Sequence, residues 1–414
     1  MILKKYKPKI IAISGTVGKT STKEAIAVVL SGFFNVRKSE KSYNSQWGVP
    51  LTIIDAQSGW DSPVLWALNI VKGLKLIFLK NHYPEWLILE LGVGKPQDMS
   101  NVLSWVKPNI AVMTALSKMP VHVEYFKGPE EILKEKALLL TKLGESDTAI
   151  LNEDDPLVFD LKQKVKGKTI TYGFVEGANL RASNYKMTLE GIIFKIDYKG
   201  VIVPIKLNGC LGKQNVYSTL AALAVGGALG LNFVEMAESL SKYNSPAGRV
   251  KLLEGIKKTW IIDDTYNSSP VAQVAAMEIL NELAEYAKTS TDKPARRIAV
   301  LGDMLELGKY TIDEHRKVGK TVAEGADLFF AVGPRMKFAT EEARACGMSE
   351  KKIFEFSTSD EAKIVLQEKI KEGDLVLVKG SQGMRMEKVV EEVTAHPEDI
   401  EKLLVRQEKE RLNR

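Results

Sequence analysis

Ser14-Gly15-Thr16-Val17-Gly18-Lys19-Thr20 follows the apolar run Ile10–Ile13 and leads into a stretch of helical character from Thr20. Strand, glycine turn and helix, in that order, make a cradle for phosphate. Glycines let backbone N–H groups approach an anion, and a helix N-terminus favours negative charge. In such a loop Lys19 reaches the β- and γ-phosphates and the Thr20 hydroxyl binds Mg²⁺, with Gly15, Thr16, Gly18 and Ser21 completing the cradle. Ile13 stands at the first glycine position of the strict GxxxxGK[ST] pattern. A chance Gly-Lys-Thr turn is the plain alternative, and the loop alone names a nucleotide, not a reaction.

Outward from the loop, strands are expected at Trp86–Leu91, Ile110–Thr114 and Thr148–Leu151, with helices between them. That alternation predicts an α/β fold with a mostly parallel sheet covered on both faces. Residues 168–206 alternate apolar and polar, as in Gly191–Tyr198 and Val201–Leu207, and predict a small antiparallel portion. After a connector with Pro246, Ala247 and Gly248, strands and helices alternate again from Thr259, which predicts a smaller Rossmann-like α/β unit. The expected division is a P-loop domain over 1–247, a C-terminal domain over 248–396 and a charged tail over 397–414 that forms a frayed helix. The linker 288–295 reads as a solvated loop.

The chain has 414 residues, 45% hydrophobic and 27% charged, enough to bury a substantial core. Its formal charge of +6 is thinly spread and gives no ground for a nucleic-acid partner. Cys210 and Cys346 have no metal-ligand spacing and form no disulfide framework, which fits a cytoplasmic setting. The basic Met1–Lys9 runs into a strand, not into a signal-peptide apolar stretch.

Further motifs follow in order. They are Tyr43-Asn44-Ser45-Gln46-Trp47-Gly48-Val49-Pro50-Leu51-Thr52, Leu89-Glu90-Leu91-Gly92, His122-Val123-Glu124-Tyr125-Phe126, Asp263-Asp264-Thr265-Tyr266-Asn267-Ser268-Ser269-Pro270, Leu301–Gly308 and Val378-Lys379-Gly380-Ser381. With the glycine loop they resemble the Mur ligase family over about residues 9–392. The resemblance implies an ATP-dependent ligase that activates a peptide carboxylate as an acyl-phosphate and joins it to an amine, in cell-wall precursor synthesis. The last three motifs point to the member that adds a D-Ala-D-Ala dipeptide to a nucleotide-sugar tripeptide.

By the same resemblance, ATP and two Mg²⁺ ions are the cofactors. Thr20, Glu90, His122 and a CO₂-derived carbamate on Lys136 would hold metal, with Lys134 as the alternative carbamate site. Lys19, Lys136 and His122 would be catalytic. Asn215 would contact adenine, Arg249 the γ-phosphate and Asp264 the ribose. Asn267, Asp303, Glu306, His315, Lys379 and Ser381 would bind substrate. Helix cap, surface ion pair and solvated side chain are the ordinary roles these residue types otherwise fill.

The chain departs from the family at Ser269 and Ala115, where asparagines are usual. The family's additional N-terminal, uridine-holding domain is expected to be absent, its place open to a partner protein. Residues 60–83 read as an inserted amphipathic helix packed on the protein's own surface, with a membrane-surface helix as the alternative. A folylpolyglutamate synthase-like enzyme and a nucleotide-binding subunit active only with a partner are the rival readings.

Overall fold

The structure is a computed structural model and describes residues 1–40, 42–291 and 295–407. Among the described residues the first sheet has nine strands: β1 (Lys9–Ser14), β2 (Val36–Lys38), β3 (Trp86–Glu90), β4 (Ile110–Met113), β5 (Thr148–Asn152), β6 (Lys168–Gly173), β7 (Leu180–Thr188), β8 (Gly191–Tyr198) and β9 (Val201–Asn208). Their order is β2-β3-β1-β4-β5-β6-β7-β8-β9. β1, β3, β4 and β5 are almost wholly buried, as parallel strands covered on both faces must be. Alternate residues of β1 serve different faces. Ile11 and Ile13 join the helices Lys19–Ser31 and Gly212–Ala228, while Ile10 and Ala12 face Asp98–Leu103 and Pro129–Thr141.

The antiparallel portion is smaller than expected. β6 runs parallel to β5, and β7 meets β6 in parallel through Tyr172 and Gly173; only β7, β8 and β9 pair antiparallel. β8 and β9 alternate buried and exposed residues because a single face is covered. β6 alternates apolar and polar residues too, so periodicity could not tell its direction.

The second sheet comprises β10 (Lys251–Gly255), β11 (Thr259–Asp264), β12 (Arg297–Gly302), β13 (Leu328–Val332), β14 (Ile353–Phe356) and β15 (Leu375–Lys379), in the order β10-β11-β15-β12-β13-β14. All its pairs are parallel except β10 with β11. One apolar cluster joins the two sheets. It runs from Ile11 and Ile26 through Leu220 to Ile279 on the helix Pro270–Thr291 and Leu301 on β12.

The tail differs from a frayed helix. Residues 397–407 make short turns at Pro397–Asp399 and Ile400–Leu403, and Arg406 is buried; residues 408–414 of that expected segment lie outside the described residues. The expected linker loop is also corrected, because residues 288–291 continue the helix Pro270–Thr291; 292–294 lie outside the described residues. The helix Pro63–Phe78 does stand on the protein surface. Ser62 caps it by accepting from Leu65 N–H, Pro63 occupies its first turn, and Leu76 is its one buried residue. Among the described residues no helix is long and apolar enough to cross a membrane.

Candidate active site

β1 ends at Ser14, and the chain turns sharply at Gly15, whose φ is +146°. A Cβ there would collide with Thr114 Oγ1 and lie 2.9 Å from the Ala115 carbonyl, so only glycine lets the loop pass the end of β4. Gly18, at φ +88°, starts the helix Lys19–Ser31. Lys19 folds back over the loop, donating from Nζ to Gly15 O at 3.0 Å and Thr16 O at 3.3 Å. Burial lowers its pKa below the usual lysine value; Glu90 opposes that shift and Arg249 adds to it.

Glu90 ends β3 opposite Ile13 in register, and it is buried. Its Oε2 accepts from Thr20 Oγ1 at 3.0 Å and its Oε1 from Asn44 Nδ2 at 3.1 Å. Ser42 Oγ lies 3.0 Å from the Thr20 hydroxyl. A carboxylate, two hydroxyls and an amide thus gather at the first turn of the loop helix. Oxygen donors of this kind suit a hard divalent cation. Among the described residues no group of three His, Cys, Asp or Glu side chains could hold a metal alone. Any ion here would need hydroxyls and ligand phosphates to complete its shell.

Lys136 reaches the same loop from the helix Pro129–Thr141. It is buried and donates to Gly15 O and Thr16 Oγ1, each at 3.0 Å. Burial, and then the Lys19 charge, hold its pKa well below the ordinary lysine value. Lys134, on the same helix, is exposed. Among the described residues, His122 makes no hydrogen bond to this cluster, although the neighbouring Val121 lines the cavity beside the loop. The His122 ring Nδ1 lies 2.5 Å from Glu306 Oε2, on the loop after β12. That hydrogen bond lowers the Glu306 pKa. His122 and Glu306 both adopt left-handed backbone, at φ +68° and +63°.

Arg249 enters from the connector between the sheets. Its Nη2 donates to Thr20 Oγ1 at 3.4 Å, and its guanidinium lies over the Tyr266 ring at 3.9 Å. The preceding Gly248 N–H donates to buried Asp263 at 3.0 Å, which anchors the connector to β11. Burial pushes the Asp263 carboxyl up to about 6, against the hydrogen bonds it accepts from Thr265 and Gly248.

The other expected residues are held by the protein itself. Asn215 donates to Leu211 O and accepts from Tyr243 and Ser245, tying its helix to the connector. Lys379 donates to Asp264 at 2.6 Å and to Asn267 O at 3.0 Å. Asp303 accepts from the N–H groups of Arg335 and Met336. His315 Nε2 accepts from Met304 N–H, and Ser381 Oγ accepts from Leu305 N–H. Asp303, His315 and Ser381 therefore shape the loop that presents Glu306.

A cavity of about 840 Å³ opens between the glycine loop and the helix Pro270–Thr291, lined by Thr16, Thr20, Asp155, Arg249 and Asp264 among others. Its wall holds buried polar atoms with no hydrogen-bond partner: Gln214 Oε1, Ser268 Oγ and Arg249 Nε. Such orphans mark places for ligand atoms. The size falls within the range of about 300–1,000 Å³ common for small-molecule sites.

Two family models match in sequence order. "Mur ligase middle domain" covers residues 68–226 and "Mur ligase, glutamate ligase domain" covers 248–382, together more than half of the chain. The chain belongs to the Mur ligase family. It is 29% identical to the UDP-N-acetylmuramoyl-tripeptide–D-alanyl-D-alanine ligase of Synechocystis, over 93% of this chain and 74% of that protein. Its fold is similar to MurF from Acinetobacter baumannii, at TM-score 0.76 and 23% identity over 97% of this chain and 78% of that one. It also resembles MurF from Thermotoga maritima in complex with ADP, at TM-score 0.74 and 23% identity over 97% and 82%.

Within this Mur ligase, sequence alone assigns no role to Ser42 and Asn44, although Asn44 lies in a motif quoted above. The approach of Ser42 to Thr20 and of Asn44 to Glu90 depends on the chain between β2 and the helix Gly48–Ile54. Tyr266 and Gln214 escape sequence reasoning for a similar reason. Each gains meaning only once the second sheet lies against the first.

Proposed function

We propose that the chain joins D-alanyl-D-alanine to UDP-N-acetylmuramoyl-tripeptide, consuming ATP. The tripeptide carboxylate attacks the γ-phosphorus, ADP leaves, and an acyl-phosphate forms. The dipeptide amine then attacks the acyl carbon, phosphate departs with the C–O bonding pair, and the amine loses a proton. The observation that carries this reading is the convergence of Lys19, Thr20, Glu90 and Arg249 on the glycine loop, with Arg249 arriving from beyond the first sheet. Anionic phosphates and an anionic carboxylate meet only where such charge is assembled.

Thr20 and Glu90 would hold one Mg²⁺ with the ATP phosphates, and the ion supplies charge neutralisation. Glu306 holds the His122 ring through Nδ1, which leaves Nε2 open for a second ion. Lys136 is suited to carbamylation, because burial favours its neutral amine, whose nitrogen can add to CO₂ with loss of a proton. The resulting anion would then neighbour Lys19.

The test is a ligation assay with ATP, Mg²⁺, UDP-N-acetylmuramoyl-tripeptide and D-alanyl-D-alanine, and with parallel L-glutamate and folate arms. Ligated product, ADP and phosphate are expected in equal amounts in the first arm. Lys136→Ala should lose activity by about 100-fold or more and recover in part with added short carboxylic acids. Product only in the folate arm would replace the proposed acceptor.

A further inference from the structure

The helix Pro63–Phe78 meets the protein along one side. Leu76 is buried there, and Trp66, Asn69, Gly73 and Ile77 are partly covered. The rest of the helix surface carries Val64, Leu68, Ile70, Val71, Leu74 and Phe78, all exposed; Ile70 is 63% and Phe78 75% accessible. A surface helix ordinarily turns polar residues outward. Here the outward side is mostly apolar, with Lys75, seven residues after Leu68, set among the apolar residues, which marks a contact surface.

The mounting of this helix is built, not incidental. Lys5 Nζ donates to the carbonyls of Leu76, Ile77 and Leu79, at 3.0, 3.0 and 2.6 Å. Tyr6 OH donates to Leu76 O at 2.8 Å. The helix Ile2–Tyr6 thus caps the orphan carbonyls at the far end and fixes the orientation of the apolar face.

Charge selects the occupant. From residue 62 to 84 there is no Asp or Glu, although Asp61 and Glu85 flank the stretch; Lys72 is paired with Asp55, while Lys75 and Lys80 are exposed, with Lys4 and Lys7 on the neighbouring N-terminal segment. Apolar side chains flanked by a surplus of lysines complement an anionic lipid surface. At roughly 24 Å the helix is shorter than the hydrocarbon core of about 30 Å, and its two lysines forbid a spanning position. We propose that this face lies flat in the headgroup layer of an anionic bilayer and holds the enzyme at the membrane.

The test uses the full chain and flotation with vesicles of phosphatidylcholine alone, or of phosphatidylcholine mixed with phosphatidylglycerol. The native chain should float with the mixed vesicles, at least about tenfold more than with the neutral ones, and high salt should reduce the difference. Leu74→Glu with Phe78→Glu should abolish flotation, and Lys75→Gln with Lys80→Gln should weaken it about tenfold. All these side chains are exposed, so both variants should keep the native unfolding temperature and solution ATPase rate. Absence of flotation, or equal flotation of native chain and variants, would overturn the proposal. So would a dimer in light scattering that Leu74→Glu with Phe78→Glu dissolves without any vesicle binding, because a second copy would then own the face.

Discussion

Two single residues govern how the connector meets the glycine loop. Arg249 works through shape as well as charge: its planar group stacks on Tyr266 while its edge reaches Thr20. A lysine keeps the charge and loses both the stack and the fork. Arg249→Lys should lower kcat for ligation by about ten- to 100-fold and leave the unfolding temperature within a degree or so, since the side chain is only partly buried. Asp263 is different. Its folded pKa of about 6 exceeds the ordinary carboxylate value of 3.8. A raised acid pKa means that charging the group opposes folding. The cost is absent below about pH 4, grows through the window, and is complete above about pH 6, where it reaches about 3 kcal/mol. A side-chain amide at this position does not titrate, so Asp263→Asn should gain stability relative to the native chain as pH rises from 4 to 7, measured by denaturant unfolding at each pH. A constant difference across that range would remove the argument. The loop residues and Glu90 were legible because their motifs are local in sequence. The His122–Glu306 contact was not, because it joins loops far apart in the chain, one after β4 and the other after β12.

At the level of elements, the long buried runs announced themselves. Ile10–Ile13, Trp86–Glu90 and Leu375–Lys379 are apolar throughout or nearly so, and each became a central strand. The short edge strands Val36–Lys38 and Lys251–Gly255 gave no comparable signal, because edge positions are half solvated and carry charge. The stretch before β1 reads in sequence as leading straight into a strand, yet it contains the helix Ile2–Tyr6, too short to show a period. Its role is visible only in three dimensions, where Lys5 caps the helix Pro63–Phe78. Lys5→Ala should therefore loosen one element and no other. Solvent can replace the lost donor at partly exposed carbonyls, so the global cost should stay near about 1 kcal/mol. Hydrogen exchange of amides 74–79 should accelerate, while β1 and β3 keep their protection. Unchanged exchange at the helix end would show that the cap contributes nothing.

The whole molecule is closed by its C-terminal segment. Arg406 is buried beneath the connector and donates to Thr265 O, Tyr266 O and Glu387 Oε2, the last at 2.7 Å. Tyr266 is the ring on which Arg249 rests, so the segment supports the floor of the active-site approach from behind. Glu387 is also buried, and Arg385 donates to its other oxygen at 2.6 Å. The two ways of breaking this set are unequal. Removing Arg406 leaves Glu387 its second partner. Removing the Glu387 charge leaves Arg406 buried among carbonyls without a counter-ion, and burial already lowers its pKa. Glu387→Gln should thus cost about 3 kcal/mol and Arg406→Met less, by chemical denaturation. Combining Arg406→Met with Glu387→Gln should recover part of the loss, because no uncompensated charge then remains. Additive losses in that double-mutant cycle would mean that packing, not the buried charge, holds the segment in place. Ligation should fall in every variant whose connector loosens, and it should do so through KM for ATP before kcat, because the arginine above Tyr266 would still reach the loop once nucleotide fills the cavity.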